Sequence, residues 1–283
     1  MNPTPQPGKR AAYFVLFLAL SSAVYLVGVT FSGAIPDGLE TALRLGMALA
    51  FLLLALGLRS RERMGPQWRV FYALFIASVA LFVSWRFSHI GNRILGLTLE
   101  SAPGLAMAKL SSAILTIAAV VLLARLGGDG PQTLFLRAGK LKPGLIVGIS
   151  AFVVLCVLST LQALSGGMSL QLLLAVLPWI LVFIFANGFL EEILFRGLFL
   201  GRLEPLVGRW PAVLLTAVAF TAAHMQVEYT PDLIPFLAVL LGLAVAWGYL
   251  MQRTQSVIGS AIFHAGADTL IILQIFAAYG VSG

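Results

Sequence analysis

The residues able to do proton chemistry are few, and they fall late in the chain. The stretch "ANGFLEEILFRGLFL" (186–200) carries Glu191, Glu192 and Arg196; "AFTAAHMQ" carries His224; "FHAGADTL" carries His264 and Asp268. All of them lie in runs apolar enough to span a bilayer, where an ionisable group costs roughly 2.5–3.5 kcal/mol on insertion scales. Glu192 and Arg196 are four residues apart, so on a helix they face one another at about 6 Å and each lowers the burial cost of the other. Glu191 is turned by about 100° from Glu192 and cannot share that arginine equally well. One carboxylate is therefore a structural partner and the other is left available. Asn187, one turn before Glu191, is placed to hydrogen-bond it.

Phe220 and His224 share one helix face, as do His264 and Asp268. Each feature alone has a plain structural explanation: an interior salt bridge, a core histidine, a His–Asp hydrogen bond. None of these gives Glu191 a purpose. A glutamate, two histidines and an aspartate on three helices are best explained together, as groups that converge on one polar cavity. A carboxylate withdrawn from water is a stronger base than a free one. An imidazole beside it can share a water and later protonate a leaving amine, and an imidazole N–H can donate to a tetrahedral oxyanion. No serine or cysteine stands in a comparable constellation, so direct attack by water is the simpler chemistry. Cys156 lies in an apolar run and reads as a core residue. His89, the third histidine, sits beside Arg86 and Arg93 at a helix end and reads as interfacial.

These groups need elements to hold them. Apolar runs recur near 12–33, 41–58, 69–86, 104–125, 143–164, 170–200, 210–226, 232–251 and 257–280, the second short and the sixth long. The chain is 60% hydrophobic and 10% charged, with mean hydropathy +0.99. A soluble domain has about 25% charged residues. The expected fold is all-α, a polytopic transmembrane bundle of about eight to nine helices. The first run is too long for a signal-peptide core and reads as an uncleaved span.

Charge sets the expected orientation. With the N-terminus in the cytoplasm, cytoplasmic segments hold 13 basic residues (Arg63 and the cluster 137–142 among them), against Arg44, Arg86 and Arg93 outside. That bias follows the positive-inside rule. The pI near 10.0 thus speaks for lipid headgroups and topology, not nucleic acid. The basic loop 125–142 divides the chain into an N-terminal four-helix region, 1–142, and a catalytic region, 143–283. Glu191 and His224 do not fall at one depth if both helices are straight and fully spanning. Either the sixth run breaks near Asn187–Gly188 or the seventh is short and re-entrant.

The three motifs "EEILFR" (191–196), "FTAAH" (220–224) and "HAGAD" (264–268) occur in the order seen in the CPBP family, which the chain resembles over roughly 143–280. That family contains the type II CAAX prenyl proteases of the Ras-converting-enzyme type and bacterial relatives once described as self-immunity proteins. The resemblance implies an intramembrane glutamic endopeptidase in which Glu191 and His224 activate water. It implies that Glu192 and Arg196 support them, that His264 and Asp268 occupy the oxyanion-stabilising positions, and that Phe220 is a packing member. Many members have Asn where this chain has Asp268. An ionised carboxylate cannot donate to an oxyanion, so Asp268 either orients His264 or stays protonated.

No cofactor is expected. The HExxH zinc signature is absent, so a metal-free site comes first, with a metal-dependent protease using the same residues as the alternative. A non-catalytic scaffold or immunity protein is a further alternative. A proton-relay transporter fits less well, because no inverted repeat is present. The expected partners are the bilayer and a peptide or lipidated protein substrate, in a bacterial inner membrane, with no nucleic acid.

Overall fold

The computed structural model describes residues 6–31, 34–61, 64–227 and 232–279. Arg63, residues 32–33 at the end of the first apolar run, and residue 280, all named above, lie outside these. The elements in order are α1 (Pro7–Tyr25), α2 (Asp37–Arg59), α3 (Gly65–Phe87), α4 (Ile90–Leu95), α5 (Ala102–Leu126), α6 (Leu141–Ser165), α7 (Leu170–Glu191), α8 (Leu200–Val207), α9 (Arg209–Ala222), α10 (Leu233–Thr254) and α11 (Val257–Tyr279). No strand occurs among the described residues. Helix starts follow local chemistry: the Ser101 and Ser169 hydroxyls accept from the amides of Gly104 and Leu172, capping α5 and α7.

Among the described residues, eight helical runs are long and apolar enough to cross a membrane, and α9 is a shorter apolar helix of 14 residues. The protein is an integral membrane protein. One expectation needs correction, and one of two alternatives drops out. The second span is not short, because α2 starts at Asp37 and runs for 23 residues. The sixth run does not break at Asn187–Gly188; α7 continues through both, and the irregularity follows at Glu192–Gly197.

Helix α11 lies at the centre. Half of its apolar window is buried by protein, against 17% for α6, whose outer face presents Val153, Val157 and Leu161. α11 packs on α6 and α7, α5 on α3 and α7, and α9 on α1 and α10. Glycine sets the closest approaches. A Cβ at Gly266 of α11 would fall 2.6 Å from Phe152 Cα of α6, and one at Gly148 would fall 2.5 Å from the Gly259 carbonyl oxygen. The largest core runs from Phe17 to Ala267 without interruption between the first four spans and the rest.

Candidate active site

Local backbone irregularity shapes the site first. After Glu191 the helix widens into a π-turn over Glu192–Gly197. The Leu198 amide reaches back five residues to the Ile193 carbonyl (2.9 Å), and the Phe199 amide bonds Arg196 O (3.1 Å). The Leu194 carbonyl thereby loses its usual helical donor, and the hydroxyl of Tyr25 on α1 takes that place at 3.2 Å. The same thing happens once more downstream. The Arg202 amide bonds Phe199 O, and the released Leu198 carbonyl accepts from the Arg202 guanidinium instead. Such π-turns are rare and concentrate at functional sites.

Gly208, with φ +95°, then reverses the chain between α8 and α9. A positive φ of that kind suits glycine alone. Glu191 stands 17 residues before this turn and His224 stands 16 after it. Both side chains line one cavity. At about 1.5 Å per residue, α9 is about 21 Å long, short of the roughly 30 Å hydrocarbon core. Of the two expected ways to match the depths, the short seventh helix is the one found.

The two glutamates have opposite surroundings. Glu192 is fully buried and saturated with donors. Its Oε1 accepts from Arg196 Nη1 (2.7 Å) and His264 Nδ1 (2.9 Å), and its Oε2 accepts from the Ser260 hydroxyl. Arg196 is equally buried and lies between the rings of Phe220 (4.4 Å) and Trp247 (5.3 Å). Glu191 keeps 14% exposure, with His264 Nε2 at 3.4 Å from its Oε2. It lines a cavity of about 420 Å³ together with Asn187, His224, His264 and Asp268.

Both imidazoles are held through Nδ1. His224 Nδ1 is 2.9 Å from the Phe220 carbonyl. A carbonyl only accepts, so Nδ1 carries the hydrogen and the neutral ring has a free lone pair on Nε2. His264 Nδ1 donates to Glu192, and the ring stacks on Trp247 at 3.9 Å and 5°. Phe220 meets both imidazoles, with centroids 4.6 Å from His224 and 5.7 Å from His264.

Asn187 requires a correction. Its amide donates to Asp268 Oδ2 (3.0 Å) and not to Glu191. The reason is packing: Gly188 lets α7 approach α11 so closely that a Cβ there would lie 2.8 Å from Ala261 O. Asp268 Oδ1 lies 3.6 Å from His264 Nε2, beyond a good hydrogen bond, so the group that orients His264 is Glu192. No group of three or more His, Cys, Asp or Glu side chains arranged to hold a metal ion occurs among the described residues.

Three contributors escaped the sequence reading. Ser260 lies one turn before His264 and continues the stripe to Asp268, a signal that was there to use. Trp247 and Tyr25 sit in apolar helices with nothing to mark them.

Residues 172–270 match the family model described as Type II CAAX prenyl endopeptidase Rce1-like. By this match the segment is similar to the CAAX protease family. The match is narrower than the 143–280 expected from the motifs, and it holds all three of them. That family is one of membrane proteases, which supports peptidase activity at the level of the family. No curated protein and no solved structure matches the chain.

Proposed function

We propose that this protein is an intramembrane endopeptidase of the glutamic type, in which Glu191 and His224 activate the attacking water. One observation carries the reading: of two adjacent glutamates, Glu192 is saturated by three donors while Glu191 lines a cavity shared with His224. In this scheme, a water between the Glu191 carboxylate and His224 Nε2 gives up its proton as it attacks the scissile carbonyl. That proton passes to the leaving amine as the C–N bond breaks, so atoms and charge balance without a covalent intermediate. His264 Nδ1 is committed to Glu192, so Nε2 can donate to the oxyanion only when both ring nitrogens carry hydrogen. Asp268, held by Asn187, lines the same cavity beside that imidazole. Glu192, Arg196, Phe220 and Trp247 fix the frame.

The basic-residue bias supports a cytoplasmic N-terminus; the reading takes the membrane as a bacterial inner one, residues 1–142 as the N-terminal four-helix region and 143–283 as the catalytic one. The test is cleavage of a membrane-associated substrate by purified protein. Glu191→Ala and His224→Ala should abolish turnover, and chelators should leave the parent active. Equal cleavage by the parent and both variants overturns the assignment. Loss of activity with a chelator, restored by a divalent cation, overturns the metal-free scheme.

A further inference from the structure

Lys109 is a charged residue in the interior of α5, well away from the matched segment. It occupies a wall common to two cavities. One is the cavity of Glu191, His224 and Asp268. The other, of about 440 Å³, lies between α3, α5 and α7, and Glu191 and His224 line it too. The two cavities differ in chemistry. Leu240, Leu243 and Ile272 make much of the first wall. The second carries the hydrogen-bonded hydroxyls of Ser84 and Ser112, 2.6 Å apart.

An ammonium at this depth needs a reason. Snorkelling toward the helix end is the ordinary one, but the Lys109 nitrogen instead sits 5.2 Å from the centre of the Phe183 ring of α7, on the cavity side. Lys109 forms no ion pair among the described residues, although Glu191 and Asp268 line the same cavity. A peptide lying across Glu191 and His224 enters one or both cavities, and Lys109 lines each of them.

We infer that Lys109 is a specificity-determining residue that binds a carboxylate of the substrate peptide within a few residues of the cleaved bond. The inference rests on the peptidase reading of the same site, but its test does not need turnover. The carboxylate has two possible sources, the peptide's free C-terminus or an acidic side chain. A charged hydrogen bond of this kind is worth about tenfold in affinity or more.

The probes are fluorescent apolar decapeptides in three forms: free C-terminal acid, C-terminal amide, and amide with one internal Asp or its Asn counterpart. Binding is measured to full-length protein in neutral detergent, for the parent, Glu191→Gln, Lys109→Met and Lys109→Arg. The expected result is about tenfold tighter binding of the acid than of the amide, or of the Asp peptide than of the Asn peptide. Lys109→Met should remove that preference and Lys109→Arg should keep it. The acid–amide arm and the Asp–Asn arm then identify the source. Equal binding within both pairs, or a preference that survives Lys109→Met, overturns the inference whether or not any peptide is cut. Where cleavage is seen, a fall in kcat for all forms with KM unchanged assigns the charge to the transition state and overturns it as well. Absence of cleavage with the binding preference intact counts against the proposed activity alone.

Discussion

Tyr25 of the first helix donates its hydroxyl hydrogen to the Leu194 carbonyl, 169 residues away, at 3.2 Å. Its ring also stacks on Phe195 at 4.0 Å, and Phe195 in turn meets Phe220 edge-on at 4.9 Å. The first span is thus fastened to the π-turn that follows Glu191. Tyr25→Phe keeps the ring and removes the only donor seen for that buried carbonyl among the described residues. The expected cost is about 1–3 kcal/mol, read as a lower unfolding midpoint in detergent. An unchanged midpoint would mean that water or backbone replaces the hydroxyl.

The two glutamates should separate by readout. Glu191→Gln should reduce turnover by about 10²–10⁴-fold while the unfolding midpoint holds. Glu192→Gln should lower the midpoint as well, because it leaves Arg196 buried without its counter-charge, a loss of about 3–5 kcal/mol. Equal midpoints for both variants would contradict the division of roles.

Trp247 lies flat on His264 and close to the Arg196 guanidinium. Trp247→Leu should cost about 1–2 kcal/mol through these two contacts. Turnover should fall more than substrate binding, since the indole acts by holding the imidazole. A change in KM alone would show that the indole meets substrate instead.

Gly266→Val should damage assembly of the bundle. Its Cβ would press on the Phe152 backbone, which has no flexible end to move aside. Overpacking costs about 1–3 kcal/mol, and the α6–α11 contact should loosen. The check is the folded, monodisperse fraction after detergent extraction, with Gly242→Val as control, because nothing lies near that glycine.

The spans were legible because a lipid-embedded helix must be predominantly apolar, and this holds for every long helix here. The short α9 was legible only as a conflict of depths. Hydropathy sees length of apolar sequence, and α9 runs straight on into apolar Ala223 and Met225. The cost of buried charge picked out Glu191, Glu192, Arg196, His224, His264 and Asp268. Applied to the first four spans it would also have found Lys109. Asn187 was assigned to Glu191 by helical spacing, but a neighbouring helix offered a nearer acceptor in Asp268, and one chain's spacing carries no record of a neighbour. Trp247 and Tyr25 were invisible for the related reason that an aromatic in an apolar span looks like any other lipid-soluble residue.

Gly208 has a consequence for how this chain can change over time. The run from Glu191 to His224 is a folded ruler with its crease at that glycine. Adding one residue to either arm would slide one mark past the other by about 1.5 Å and swing it by about 100°. Length variation is therefore tolerable in the outer loops, whereas the 33-residue interval between the two marks should behave as a fixed gauge.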